Sequence, residues 1–543
     1  MTAVERVSAV NVLVIARDQL AHATVALWRT QVVLIFTFAM PLVWLILIGI
    51  LAGNDAVGDD GVRVMQFAAP TAIAMGTFFA TMPPIAISVA EARQNRVLKR
   101  VRGTPLPAWC YFFGQVGAAC AFAIASLVVT LIISVTVYGV RLRGDTLLAT
   151  TVTLILGIAA FSAVGLAIGS ISRSAAIAEA VAIGAAVVLS FISGLFLVGA
   201  SLPPWLDQLA SAFPLKPYAV LLQDQFNPYL ESSWDPAALS VIAAWGVLGT
   251  LVSLRAFRWD AHRPTRVAGA SRNRLRNPVV YTPSAPIITT RRSSSLSLIV
   301  LSAAAALRVV MRRPGDVFFS IAMPIGLFAL LVTTQGNGTY PNGQPVALAT
   351  AASMVTWGAG VGAFMNLAES VARARDTRLL KRSRSTPLPA QDYLAGKAIA
   401  GLVIAIVLLI GILALGAIAY QLRIGVAGLA LGVVIVLIGT GSLAACGFLL
   451  AAVVPSARAV GAVGLILLFA LSFFSDVFIN AGPEWMGTVG SIFPLKHFQN
   501  GLATAWASDG SDVPWLNILV LTVWGILAAA LAIRFFRWEP GSL

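Results

Sequence analysis

Thr104-Pro105-Leu106-Pro107-Ala108 and, in the second half of the chain, Thr386-Pro387-Leu388-Pro389-Ala390 carry one pattern twice. Working outward, Ala39-Met40-Pro41 recurs as Ala322-Met323-Pro324 and Phe213-Pro214-Leu215-Lys216 as Phe493-Pro494-Leu495-Lys496. The closing Arg255-Ala256-Phe257-Arg258-Trp259-Asp260 returns as Arg534-Phe535-Phe536-Arg537-Trp538-Glu539. A period of half the chain is not that of a solenoid; it is the mark of a duplicated half-transporter.

Composition agrees. With 58% hydrophobic and 11% charged residues and a mean hydropathy of +0.88, the chain departs from soluble enzymes, in which about a quarter of residues are charged. A net charge of +15 would suggest nucleic acid in a soluble protein. Here the arginines sit in short loops between apolar runs, which excludes that reading and marks a polytopic membrane protein. Cys110, Cys120 and Cys446 have neither metal-ligand spacing nor a disulfide framework, and no metal site is expected. Glu5, Arg6, Arg17, Asp18 and Arg29 interrupt the opening stretch 1–30, so no cleavable signal peptide is expected.

The uncharged stretch 31–51, at roughly 1.5 Å per residue, reaches about 32 Å, enough to cross a bilayer core. Similar runs at 67–90, 108–138, 147–171, 175–199 and 236–254 complete six spans. A second six fall at 315–333, 347–368, 393–420, 426–453, 457–480 and 515–533. The segment 91–107 holds Arg93, Arg96, Lys99, Arg100 and Arg102 against Glu91. Burying six charges at roughly 2.5 kcal/mol each would cost about 15 kcal/mol, so the segment is a water-side loop, cytoplasmic by its sign. Its repeat at 371–390 agrees, and so does 255–313 with twelve arginines and one Asp260. Asp55, Asp59 and Asp60, and further on Asp207, Asp224, Glu231 and Asp235, mark external loops; Arg141 and Arg143 are the dissenting pair. An even number of spans per half puts both termini in the cytoplasm at the cell membrane. It also relates the halves by a pseudo-two-fold axis along the membrane normal.

The domain reading is a surface amphipathic helix over 1–30, a first half over 31–259, an Arg/Pro/Ser-rich tether over 260–296, a second interfacial helix over 297–314 and a second half over 315–543. In the first helix Val10, Leu13, Leu20 and Leu27 recur at helical spacing, with a short buried helix as the alternative. Segment 200–235 is broken by Pro203, Pro204, Pro214, Pro217 and Pro228 yet is too apolar for a solvated loop, which fits helices dipping back into the outer leaflet. Lys216 and Lys496 there read as snorkelling lysines or as parts of an exit gate.

The order of these features resembles the ABC-2 family of ATP-binding-cassette exporter permeases, in the fused twice-six-span form of tetronasin-type antibiotic exporters. The motifs are Lys99-Arg100-Val101-Arg102-Gly103-Thr104-Pro105-Leu106, Ser193-Gly194-Leu195-Phe196, Leu202-Pro203-Pro204-Trp205 and Phe213-Pro214-Leu215. The second half departs with Ser475-Asp476-Val477-Phe478 and Gly482-Pro483-Glu484-Trp485. The resemblance implies an all-α fold of two tandem six-span halves, similar to type V exporters. It also implies a separate ATPase partner, in two copies or as one fused chain, resting on the basic loops. Arg96, Lys99, Arg100, Arg378, Lys381 and Arg382 are the candidates for that contact, lipid headgroups being the alternative. ATP and magnesium would belong to the partner: Gly396-Lys397 is followed by Ala398 and lacks the glycine of a phosphate-binding loop, so the chain itself is not expected to be an enzyme.

A cargo path between the halves, along the second and fifth spans of each, is likewise implied. Its candidate lining is Met75, Phe78, Phe79 and Met82; Trp357, Phe364, Met365 and Asn366; and, on the fifth spans, Phe191, Phe196, Phe469 and Phe473. Such side chains give adaptable apolar surface for a small hydrophobic drug or antibiotic. Pro83-Pro84 should kink its span, whereas Gly360-Val361, taken as its counterpart, should not. The loop after Glu369 is read as one helical turn longer than that after Glu91. Gly157, Ala160, Val164 and Ala167, with Gly439, Leu443 and Gly447, read as close helix packing, and Glu179 as an interfacial carboxylate near Arg173 or one facing the cavity. Lipid or polysaccharide export is the alternative cargo class. An ion-coupled transporter would carry a Gly-x-x-x-Asp-Arg loop, and a membrane glycosyl transferase would cluster histidines or carboxylates, whereas His22, His262 and His497 are scattered.

Overall fold

The structure is a computed structural model describing residues 3–51, 53–57, 62–103, 108–196, 202–230, 234–257, 294–336, 338–340, 343–384, 388–478 and 483–536. Most of the tether 260–296, Thr104 to Pro107, Thr386-Pro387, Asp59, Asp60, Glu231 and both ends of the chain lie outside the described residues. Apart from a two-residue hairpin of Ala56–Val57 on Val62–Arg63, the described chain is built from helices. In each half a surface helix (Ala3–Trp28; Ser295–Met311) precedes six spans. Spans 1 to 6 are 31–51, Met65–Gln94, Ala108–Thr136, Leu147–Ile171, Ala175–Ile192 and Pro236–Ala256. Spans 7 to 12 are Pro314–Gln335, Val346–Asp376, Ala390–Tyr420, Val426–Val453, Ala457–Phe474 and Trp515–Phe535. Ten of these are long and apolar enough to cross a membrane, and spans 1 and 11 are shorter apolar helices.

Spans 5 and 11 stop earlier than the hydropathy predicts. Each ends in a left-handed residue, Gly194 (φ 75°) and Asp476 (φ 56°), the conformation that terminates a helix by letting the chain fold back on its last carbonyls. Glycine adopts it freely. Aspartate tolerates it, and Asp476 also lies 2.9 Å from the Lys496 ammonium. Lys216, by contrast, is ion-paired to Asp207 of a short distal helix, so each lysine has a protein partner.

Span 4 crosses span 2 through Gly165, and span 10 crosses span 8 through Gly447. A Cβ on Gly165 would lie 2.5 Å from the Met82 carbonyl oxygen, and one on Gly447 would strike that of Phe364, so only glycine lets the backbones meet. Gly157 receives the ring of Tyr218 and Gly439 that of Phe498 in the same way, as the small-residue spacing predicts. The surface helices seat on spans 3 and 9, with the backbone at Gln19 over Gly114 and that at Ile299 over Gly396. Gly396 is therefore a packing residue, while the Lys397 ammonium donates to Ser370 Oγ at 3.0 Å. In the first surface helix Ala16, Ala23 and Leu27 are buried while Arg17, Asp18 and His22 are exposed; the side chains of Val10 and Leu13 lie outside the described residues.

Two expectations are corrected. The basic loops are of equal length: Arg93 and Arg375, and Arg96 and Arg378, occupy equivalent places at one constant offset, so the counterpart of Glu91 is Arg373, and Glu369 matches Ile87. At the same offset the counterpart of Pro83-Pro84 is Met365-Asn366. Span 2 runs as one α-helix through Pro70, Pro83 and Pro84, whereas span 8 is interrupted by a π-helical segment, Gly360–Asn366. Prolines inside a helix remove individual hydrogen bonds, yet span 2, buried along most of its length, keeps the α pitch. Spans 1 and 7 have π segments too, Ile35–Ala39 and Phe318–Ala322, each just before a proline. Pro41 has no N–H for the Thr37 carbonyl, which instead accepts from Ser126 Oγ at 2.6 Å.

At the end of the molecule away from the basic loops, a short helix pair (Pro204–Ser211 and Leu215–Phe226; Glu484–Gly490 and Pro494–Ala507) dips among the spans. Tyr218 is fully buried and shares a 2.8 Å hydrogen bond with Thr77, while Gln66 donates to the Phe226 and Arg141 carbonyls. Arg143 spans Asp145 and the carbonyls of Asn227 and Leu230 at 2.5 and 2.8 Å. The hydrogen bond between Arg143 and Asp145 holds the guanidinium above, and the carboxylate below, their ordinary ranges. This arginine is a structural staple, which accounts for its dissent from the charge rule.

Candidate functional site

At one end of the bundle, spans 2 and 8 each break at an arginine in the left-handed region, Arg96 and Arg378, both at φ 58°. A short helix follows, Val97–Arg102 and Leu379–Arg384. Leu98 and Leu380 are buried and pin these helices to the bundle, while Lys99, Arg100, Lys381 and Arg382 lie on the exposed side. The supports are built alike. Arg93 donates to the Ser170 carbonyl at 2.9 Å and to that of Ser172, and Arg375 donates to Ala451 and Val454 at 2.6 and 2.7 Å. Gln94 and Asp376 then accept the first N–H of spans 5 and 11, from Ala175 and Ala457, both at 2.8 Å. One turn of helix therefore ties each basic helix to span 2 or 8, to the end of span 4 or 10 and to the start of span 5 or 11. These buried arginines are the structural residues that a charge count alone does not separate from their exposed neighbours.

The halves meet where span 5 lies on the start of span 7 and span 11 on the start of span 1. A Cβ on Gly315 would be 3.2 Å from that of Ala180, and one on Gly184 2.9 Å from the Phe318 ring. This seam places Glu179 beside charges of the other half. Those acting on it are Glu369, Arg373 and Asp316 together with Glu91 of its own half. Arg373 donates to Glu369 at 2.9 Å and is drawn to Glu179 and Asp316 as well. Glu179 is itself exposed on span 5.

Further along the seam the candidate lining separates into two groups. Trp357, Phe469 and Phe473 come together with Phe478, a residue that the sequence places in a motif and not on the path; Trp357 lies 5.4 Å from Phe469 and 4.8 Å from Phe478. Phe191 and Phe196, 4.7 Å apart, join this cluster's core from the other half. Phe364 sits in the same core, Met365 lies against Gly464, and Asn366 donates to Ser320 Oγ at 3.0 Å. Met75, Phe78, Phe79 and Met82 are at most 1% exposed and fill the first half's own core, where Phe78 packs on Phe161 and Phe161 on Tyr218. Of the candidate path residues, those that come together at the seam thus belong mainly to the second half.

Two family models match the chain. One, described as ABC-2 type transporter, covers residues 20–226, and the other, described as ABC-2 family transporter protein, covers 331–534. The chain belongs to the ABC-2 transporter family. The first match runs from the surface helix through the distal helix pair and the second from span 7 to the end of span 12, so each half is an ABC-2 domain. Comparison with curated proteins found no match. As a multi-pass membrane protein with two ABC-2 domains, the chain is a membrane permease of an ABC transporter, a transport subunit of a family that generally works with an ABC ATPase.

Proposed function

We propose that this ABC-2 permease exports small hydrophobic drugs or antibiotics, driven by two ATPase copies that dock on its two basic helices from the cytoplasm. The carrying observation is the matched pair of short helices, each pinned by one buried leucine and tied by a buried arginine to three spans. A push on such a helix moves spans 2, 4 and 5, or 8, 10 and 11, as a body, because the guanidinium bonds to the ends of spans 4 and 10 are charge-assisted and largely shielded and a second bond caps spans 5 and 11. Movement of those bodies would widen or close the seam that holds Glu179 and the aromatic cluster. ATP and magnesium stay with the partner. The apolar, aromatic character of Trp357, Phe469, Phe473 and Phe478 supports a hydrophobic cargo over a polysaccharide, which needs hydrogen-bonding groups along its path.

Reversing Arg96, Lys99 and Arg100 together to glutamate should abolish cargo-stimulated ATP hydrolysis while leaving the permease in the membrane, since none of the three is buried. Normal stimulation in that variant would remove these residues from the coupling surface. A cysteine at position 97 should react with an impermeant thiol reagent only after the cell membrane is opened; labelling of intact cells would invert the orientation. For the path, Trp357→Ala and Phe473→Ala should each change the profile of exported drugs, and Met75→Ala should act mainly on stability. An unaltered profile in the first two variants would move the path elsewhere.

A further inference from the structure

Between spans 3 and 4, at the end of the bundle away from the basic helices, lies a groove of about 190 Å³. Its depth is mainly apolar, with Ile73, Leu131, Leu154 and Phe226 beside the buried Gln225, and its outer end carries Thr146, Thr150 and Arg143. An engineered apolar cavity of about 150 Å³ holds a benzene molecule, so this volume takes several methylene groups. The second half fills the equivalent place, and the reason is legible position by position. Arg143, Thr146 and Thr150 correspond, at the offset that relates Arg93 to Arg375, to Gly425, Gly428 and Gly432. Those glycines admit the second half's distal helix: Gly432 lies against the Trp506 indole, Gly428 has the Ala505 carbonyl 3.0 Å from its would-be Cβ, and Gly425 lies against Asp509. Spans 9 and 10 also pack more closely on each other than spans 3 and 4 do.

We propose that the groove binds one acyl chain of a phospholipid from the leaflet opposite the basic helices. Entry is from the side, between Val128 and Leu147, which are 47% and 52% exposed on a surface otherwise lined by outward Ile124, Ile132 and Leu148. A bilayer covers such a surface, so what reaches the groove comes from the bilayer. The polarity gradient matches an amphiphile. The chain lies on Ile73 and Leu154, and a zwitterionic headgroup lies over the Arg143–Asp145 ion pair, its ammonium to the exposed carboxylate and its phosphate beside the guanidinium, most of whose N–H groups are held by Asp145, Asn227 and Leu230.

The test uses the full chain in detergent with trace phosphatidylethanolamine carrying a photoreactive acyl chain. Saturable adducts are expected in 127–131 and 150–154, competed by unlabelled phosphatidylethanolamine, and not in the equivalent segments 409–413 and 432–436. Leu131→Trp and Thr150→Trp, which fill the groove from opposite walls, should each lower the first-half labelling about tenfold, equivalent to about 1.4 kcal/mol. Either variant with an unchanged unfolding profile is decisive, and the contrast between halves in the wild-type chain needs no variant. Equal saturable labelling of both halves, or undiminished labelling in a folded filled variant, overturns the proposal. So does competition by an exported hydrophobic compound but not by phospholipid, which would make the groove a cargo site.

Discussion

Gly447→Leu should leave the second half unable to assemble, and Gly165→Leu should do the same to the first. At both positions the crossing helix presents a backbone carbonyl where the new Cβ must go, and a backbone cannot step aside as a side chain can. Separating spans 8 and 10 would strip contacts along Leu443, Phe448 and Phe364, which share one core. Overpacking of a tight core costs about 1–3 kcal/mol, and a forced backbone displacement belongs at or above the upper end. Gly441 is the internal control: it lies on the same span as Gly447 with nothing within 4 Å of a built Cβ. Gly441→Leu should express and run as a single species on gel filtration, whereas Gly447→Leu should aggregate or vanish from the membrane. Similar behaviour of the two variants would show that the crossing is looser than described.

Arg375→Met should lower the thermal unfolding temperature more than any substitution on the exposed side of the basic helices. Its guanidinium satisfies two carbonyls at the end of span 10 and is 4% exposed as a side chain. A hydrogen bond to a charged group contributes roughly 1.5–3 kcal/mol, so the loss is about 3–6 kcal/mol, set against the methionine's favourable burial. Arg375→Lys keeps the charge but not the fork and should fall between. Scanning unfolding of the detergent-solubilised protein gives the order directly. If lysine and methionine behave alike, charge rather than bidentate geometry is what span 10 requires.

Much of this architecture is legible in the sequence. The repeat, the span positions and the basic loops need only hydropathy and charge, because a bilayer leaves a helical backbone few alternatives. The glycines at 157, 439 and 447 can be assigned to packing because the duplication shows each position twice. The π segments are not legible. That before Pro41 has a local cause in the missing N–H, but Gly360–Asn366 contains no proline, and nothing in its sequence explains it. Which of the candidate path residues come together is also hidden. Phe78 and Trp357 look alike in composition, and only the ring of Phe161 against the one and those of Phe469 and Phe478 against the other separate them. Pairing Glu91 with Glu369 is an error of register: two acidic residues near a basic run invite alignment, whereas the carbonyls held by Arg93 and Arg375 define the true one.

That register bears on why the halves share one chain. Glu179 of the first half feels the charges of Glu369 and Arg373 of the second; at the position equivalent to Glu179 the second half has Gly461, which lies against its own Glu369, and at the positions equivalent to Glu369 and Arg373 the first half has Ile87 and Glu91. Two copies of the first half, paired about the same axis, would crowd four carboxylates, Glu179 and Glu91 twice over, with no arginine in place of Arg373 to offset them. Two copies of the second half would keep the arginine but present only Gly461 to it. Each half is therefore fitted to its opposite and ill-suited to its twin. Covalent joining removes the choice: a ribosome that makes one half always delivers the correct mate, in equal number and in the same membrane.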